Sequence, residues 1–183
     1  MNKIIAIVGM PGSGKSEAGV FFKEKGWNVL RFGSIIDEGL QKEGLPWTPE
    51  NNAYYREKIR EELGMAAVAI KMMPKIEAAF QSGTDTILDG LYSWEEYTTL
   101  KEKFSNLILL CLYTRPEVRY ERLSLRKERA FTKTESKQRD ISEIENLNKG
   151  GPIAIADYLI KNEGTTDELQ KEMEKFWNWM QKN

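Results

Sequence analysis

Gly9-Met10-Pro11-Gly12-Ser13-Gly14-Lys15-Ser16 is the stretch from which the rest of this 183-residue chain can be read. It fits the pattern G-x-x-x-x-G-K-[ST] without a mismatch. The residues before it, 3–8, are apolar after Lys3 and mostly β-branched, as in a short strand buried on both faces. The residues after it, 13–25, carry a helical pattern that closes at Gly26. Strand, glycine loop and helix in this order wrap a polyphosphate. The glycines let successive backbone N–H groups turn inward, and the positive end of the helix points the same way. Lys15 is placed to reach the β- and γ-phosphates of ATP, and the Ser16 hydroxyl to ligate Mg²⁺. The candidate nucleotide-binding residues are therefore Gly9, Met10, Pro11, Gly12, Ser13, Gly14, Lys15 and Ser16, with Glu17 following them.

Working outward, residues 28–32 read as a second short strand ended by Gly33, and Ser34 as the cap of a helix through Ile35, Ile36 and Leu40. The prolines of 44–49 mark a loop. Residues 52–81 are helical in pattern, divided at Gly64, with Pro74 expected to kink or restart the second half. A third strand spans 84–88. A helix follows over 93–104, with Ser93 and Glu96 at capping-box spacing. Residues 107–113 form a fourth, fully apolar strand. Charged helix covers 116–127, helix resumes near Glu135, a fifth strand spans 157–160, and a terminal helix covers 166–180. Strands alternating with helices predict an α/β protein: a parallel sheet of about five strands with helices on both faces, the three-layer P-loop NTPase fold, in one domain over 1–183.

The bulk numbers exclude more than they assign. With 40% hydrophobic and 30% charged residues the chain can build a core and has little room for disorder. A net charge of −1 gives no basic field for a nucleic acid, so nucleic-acid binding is not expected. There is no histidine, which removes Ser/His and Cys/His catalysis and histidine-held metals. The single cysteine, Cys111, lies in an apolar run and reads as a buried strand residue. No apolar run approaches the roughly 20 residues that cross a bilayer. The first apolar stretch is too short for a signal peptide. A cytoplasmic monomer or homodimer is the expectation.

Two further features carry chemistry. Asp89, in Ile87-Leu88-Asp89-Gly90, ends the third strand, on the edge where open parallel sheets bind ligands. It reads either as a Mg²⁺ ligand or as a turn-forming Asp-Gly. From Arg119 to Asp140 there are eight basic residues (Arg119, Arg122, Arg126, Lys127, Arg129, Lys133, Lys137 and Arg139) against four acidic ones, a net +4. Most such runs are solvated helix faces. Phosphoryl transfer, however, needs mobile cations over the transferring phosphate, and Arg122, Arg126, Arg129 and Arg139 are the candidates. The segment 119–140 is thus expected to be a lid. A guanine-reading Asn-Lys-x-Asp string is absent, since Asn148-Lys149-Gly150-Gly151 lacks the aspartate.

Taken together, the glycine loop, Gly-Ser after the second strand, Asp-Gly after the third and an Arg-rich segment before the last resemble nucleoside monophosphate kinases of the adenylate kinase type. The ending Ala156-Asp157-Tyr158-Leu159-Ile160-x-Asn162-x-Gly164, with Arg139 upstream, looks like dephospho-coenzyme A kinase. The chain as a whole resembles a group of adenylate-kinase-related P-loop proteins common in archaea. The resemblance implies that 34–81 binds the acceptor, that Asn162 and Gly164 lie against the adenine, and that Arg122, Arg126 and Arg139 are lid arginines. Two positions depart from it. Adenylate kinases carry an acceptor-phosphate arginine three residues beyond the aspartate that Ser34 replaces, and Asp37 stands there. Arg31, Arg56, Arg60 or Lys71 would have to hold that phosphate. Dephospho-coenzyme A kinases carry an aspartate at the end of the second strand to activate a hydroxyl, and Arg31-Phe32-Gly33 has none.

A hydroxyl acceptor needs a positioned base, whereas a phosphate oxygen at neutral pH is already an anion. The residues therefore point to an ATP- and Mg²⁺-dependent phosphotransferase with a small acceptor, a nucleoside or deoxynucleoside monophosphate. The alternatives are a hydroxyl-directed kinase served by Asp37, and an ATP-hydrolysing regulatory protein. Trp47, Tyr54 and Tyr55 fall in the acceptor region as core or base-stacking residues; Trp177 and Trp179 read as packing or an interface.

Overall fold

The apolar runs become strands because their side chains have something to bury on both sides. The computed structural model describes residues 2–127 and 130–182. In it β1 (Ile4–Val8), β2 (Asn28–Arg31), β3 (Thr86–Asp89), β4 (Ile108–Tyr113) and β5 (Tyr158–Lys161) form one parallel sheet in the order β2-β3-β1-β4-β5. Alternate residues of each strand feed opposite layers. Ile4, Ala6 and Val8 of β1, with Leu88, Leu109 and Cys111, pack against α2 (Gly33–Lys42), α3 (Pro49–Leu63), α4 (Ala67–Gln81) and α5 (Trp94–Lys103). Ile5, Ile7, Ile87, Leu110 and Leu112 pack against α1 (Lys15–Glu24) and α9 (Thr166–Lys182). The remaining helices, α6 (Pro116–Ser124), α7 (Lys133–Glu145) and α8 (Gly150–Ala154), lie between β4 and β5 in the chain.

Helix α9 buries Leu169, Met173, Phe176 and Met180, one apolar stripe at helical spacing. At about 1.5–3 kcal/mol for each side chain, this face supplies stability that an isolated helix of its length lacks. Trp177 packs 5.9 Å from the Trp27 ring and Trp179 5.2 Å from Tyr158, so both extend this core.

Three local expectations change. Helix α2 begins at Gly33 with Phe32 at its N-cap, which places Ser34 inside the first turn, not at the cap. Helix α4 starts at Ala67 and runs unbroken through Pro74, because the buried Val68, Met72 and Ile76 hold it while proline removes one N–H donor. The capping box of α5 is half formed. Ser93 Oγ accepts from Glu96 N (3.0 Å), but the Glu96 carboxylate reaches back one residue further, accepting from Tyr92 N (2.7 Å).

Register decides where the chemistry collects. Ile7 and Arg31 both pair with Asp89, and Tyr113 pairs with Lys161. Gly9, Arg31, Asp89, Thr114 and Asn162 therefore share the carboxyl edge of the sheet, where the strand order reverses about β1.

Candidate active site

The loop 9–16 is held from outside by its carbonyls. Asn162 Nδ2 donates to Ser13 O (2.9 Å), and Thr114 Oγ1 donates to Asn162 O (2.7 Å). Arg119 donates from Nη1 to Pro11 O (3.1 Å) and from Nε to Thr114 O (2.9 Å), and grips both oxygens of Asp140 at 2.8 and 2.5 Å. Tyr120 adds its hydroxyl to Asp140 (2.9 Å). Against this frame there is no space for side chains at the turning points. Gly12 and Gly14 have φ of +80° and +98°, and a Cβ on them would stand 2.8 Å from Arg119 O and 2.3 Å from Asn162 Nδ2. Lys15 lies across the loop, donating to Gly9 O (2.9 Å) and Met10 O (3.1 Å).

In front of the loop is a cavity of ≈200 Å³ lined by Pro11, Gly12, Lys15, Ser16, Arg31, Asp89, Gly90, Tyr92, Arg126, Arg139, Glu143 and Lys149. Among the described residues, five cations face two carboxylates there. Burial first and Lys149 second lower the Lys15 ammonium to about 7, against the pull of Glu143 and Asp89. Burial raises Asp89 above the usual carboxylate range, opposed by Lys15 and Arg31. Burial would also raise Glu143, but Lys149 and Arg139 outweigh it and hold the carboxyl at about 2. Its two oxygens accept from Lys149 Nζ (2.5 Å) and Arg139 Nε (3.1 Å). Two cations lie over the Tyr92 ring, Lys149 at 5.2 Å and Arg56 at 5.6 Å from its centroid.

A second hollow, ≈300 Å³, opens on the other side of the loop between Gly14, Glu17, Arg122, Asn162, Gly164, Thr165, Thr166 and Leu169. Arg122 closes it, donating to Asn162 O and Gly164 O, both at 3.0 Å. Gly12, Lys15, Ser16, Arg122 and Arg126 line a groove that joins the two spaces.

The basic segment thus divides by position. Arg119 is a buried tie beneath the loop, Arg122 stands at the second hollow, and Arg126 and Arg139 face the first. Lys127, Lys133 and Lys137 are exposed. Arg129 lies outside the described residues.

In the segment expected to bind the acceptor, Arg31 pairs with Asp37, and Ser34 lies near Glu38. Arg60 is near enough to Glu96 for their charges to interact, without pairing with it, and Glu96 is a carboxyl with no solvent exposure that burial raises to about 7. Lys71, on α4, does not line the cavity. Tyr55 is buried in the core, whereas Trp47 borders a hollow with Asp37, Leu40, Gln41 and Leu45. Sequence reasoning missed Tyr92, Glu143 and Lys149. Lys149 was visible only as part of an incomplete guanine string, and Glu143 as one more acid on a charged helix.

Among the described residues no group of three Asp, Glu, Cys or His side chains could hold a metal. Ser16 and Asp89, which both line the cavity, suit Mg²⁺, which takes few protein ligands and completes its shell with water and phosphate.

A parallel sheet in this order with a glycine loop of this shape is the P-loop kinase fold. Among solved structures, shikimate kinase from Bacteroides thetaiotaomicron superposes with a TM-score of 0.64 at 14% identity, covering 98% of each chain. Dephospho-CoA kinase from Campylobacter jejuni gives a TM-score of 0.62 at 16% identity over 100% of this chain and 98% of its own. Residues 5–148 match the family described as "AAA domain". A UPF0200 protein of Pyrococcus horikoshii is 38% identical over 176 residues, and one of Sulfurisphaera tokodaii 36% over 177, each match covering 94% of both chains. The chain belongs to the UPF0200 family, with the AAA domain over most of its length.

Proposed function

We propose that this protein is an ATP- and Mg²⁺-dependent phosphotransferase whose acceptor is a small molecule, a nucleoside or deoxynucleoside monophosphate. The observation that carries the reading is the cavity before Lys15, where the described cations outnumber carboxylates by three. Such a site favours two phosphate groups brought face to face, because each cation offsets charge that water would otherwise solvate. Loop 9–16 would take the ATP phosphates, with the adenine toward Asn162, Gly164 and Arg122. Ser16 and Asp89 would hold Mg²⁺, which would supply positive charge against the phosphates. Arg126 and Arg139 would steady the transferring group, and Arg31, helped by Arg56 and Arg60, the acceptor. Residues 34–81 and 119–140 act in this reading as acceptor region and lid.

A second reading, transfer to a hydroxyl, draws on Asp89. Its raised affinity for a proton suits a general base. Asp37 is less available for that role because Arg31 engages it, and Glu143 is held ionised by two cations.

The test is incubation with ATP, Mg²⁺ and a panel of ribo- and deoxynucleoside monophosphates, dephospho-coenzyme A and small hydroxy acids, with products identified by mass. A nucleoside diphosphate from the acceptor is the expected result. A phosphorylated hydroxyl establishes the second reading. Release of ADP with no acceptor product would make the protein an ATP-hydrolysing regulator and refute both.

A further inference from the structure

Lys149 is 1% exposed, yet it lines the catalytic cavity. The backbone carries it there. Asn148 has φ 50°, in the left-handed region that asparagine tolerates, and its amide donates to Glu95 Oε1 (3.2 Å). Lys149 follows at the N-cap of α8 with its ammonium on Glu143 Oε2 (2.5 Å). The other oxygen of Glu143 receives Arg139 (3.1 Å). One carboxylate therefore serves two cations, and the group keeps a net positive charge.

A pair built only to join α7 to α8 would be neutral, and even neutral buried pairs stabilise weakly. Lys149 and Glu143 are buried while Arg139 is about a third exposed, and the extra positive charge this group sets opposite Lys15 is costly until an anion arrives. Lys149 and Lys15 line the same ≈200 Å³ cavity, so the two side chains share one small space, and after burial the Lys149 charge is what most lowers the Lys15 ammonium. The face of Tyr92, 5.2 Å away, limits where Lys149 can turn.

We propose that Lys149 is a second phosphate-contacting lysine, and that Glu143 is the positioning carboxylate that aims Lys149 and Arg139 at the phosphoryl group in transfer. This rests on the phosphotransferase reading above. In that step the bond from the γ-phosphorus to the bridging oxygen breaks, and ADP leaves with the electron pair. The new bond forms to an acceptor oxygen. Lys149 spreads the negative charge it faces. Lys15 gives the same transfer a contact from the loop side.

The experiment compares wild type, Lys149→Met, Lys149→Arg and the double variant Glu143→Gln/Lys149→Met. Titration calorimetry follows Mg·ADP and Mg·AMP-PNP, whose difference is the γ-phosphate. Lys149→Met should keep ADP affinity within about 2-fold and weaken AMP-PNP by about 10-fold or more, the scale of one charge-assisted hydrogen bond. Lys149→Arg should restore part of that preference. The kcat for the acceptor found above should fall about 10²-fold in Lys149→Met, with little change in acceptor KM. The double variant leaves no orphaned charge between these two residues, so it decides the matter if Lys149→Met does not fold. Folded variants that prefer AMP-PNP over ADP as wild type does would overturn the proposal, leaving Lys149 as the partner of Glu143 alone. Wild-type protein that turns over its acceptor keeps the phosphotransferase reading alive in that case. Failure of wild type to bind Mg·AMP-PNP removes both.

Discussion

Arg119 offers the sharpest quantitative test, because its four hydrogen bonds leave little room for alternatives. Its guanidinium and the Asp140 carboxylate are 4% and 10% exposed. Arg119→Met keeps most of the apolar stem and removes the charge. Asp140 is then left with the Tyr120 hydroxyl, and Pro11 O and Thr114 O lose their donor. Removing one member of a buried pair costs about 3–5 kcal/mol, against about 0–1 kcal/mol for an exposed pair. Lys25–Glu174, at 34% and 49% exposure, is the exposed control in the same chain. In a protein of this size about 2–4 °C of Tm follows each kcal/mol, so Arg119→Met should melt roughly 6–20 °C lower. Urea unfolding at 25 °C should show the loss with an unchanged slope. Arg119→Met/Asp140→Leu should recover most of it, since replacing both charges by apolar groups is close to neutral. A loss below about 1 kcal/mol for Arg119→Met would refute the view that this arginine ties the loop to α6 and α7, and would return it to the solvated face.

Three further outcomes are expected. Lys15 titrates near 7 in the free protein, and phosphate favours its charged form, so ATP should bind with uptake of close to one proton at about pH 8 and almost none at about pH 6. Calorimetry in buffers of different ionisation enthalpy measures this, and equal heats at both pH values after buffer correction would count against it. Glu96, at about 7 against an ordinary 4.5, keeps in the folded state a proton that the unfolded chain has lost between those values. Its contribution is full below about pH 4.5 and disappears as pH rises through about 7, so Tm of wild type should fall from pH 5 to pH 8 relative to Glu96→Gln; parallel Tm curves would contradict this. Asp89→Asn should leave ATP binding measurable, shift the Mg²⁺ titration to higher concentration and lower kcat sharply. A wild-type Mg²⁺ titration and rate would make Asp89 a turn residue only.

Local and periodic features were legible in the residues alone. The complete motif at 9–16 determined the strand, loop and helix around it, because glycine geometry and a following helix start depend on near neighbours. The doubly apolar strands, the break at Gly64 and the stripe of α9 were readable for the same reason: burial on two faces, or on one helical stripe, imprints a period on the sequence. Strand order and register are long-range, and they alone put Arg31, Asp89 and Lys15 around one space. The fates of the basic residues were also beyond the sequence. Arg119, Arg122 and Arg139 look alike in a run of charge, yet one is buried on Asp140, one closes the hollow at Asn162 and one shares Glu143 with Lys149. What separates them is desolvation and the identity of the opposing charge. For Arg119 and Arg122 both depend on residues 21 and 40 positions away that only the folded chain brings close, and for Arg139, whose partner Glu143 is four residues on, they depend on the burial of Glu143 and on Lys149 arriving at its other oxygen.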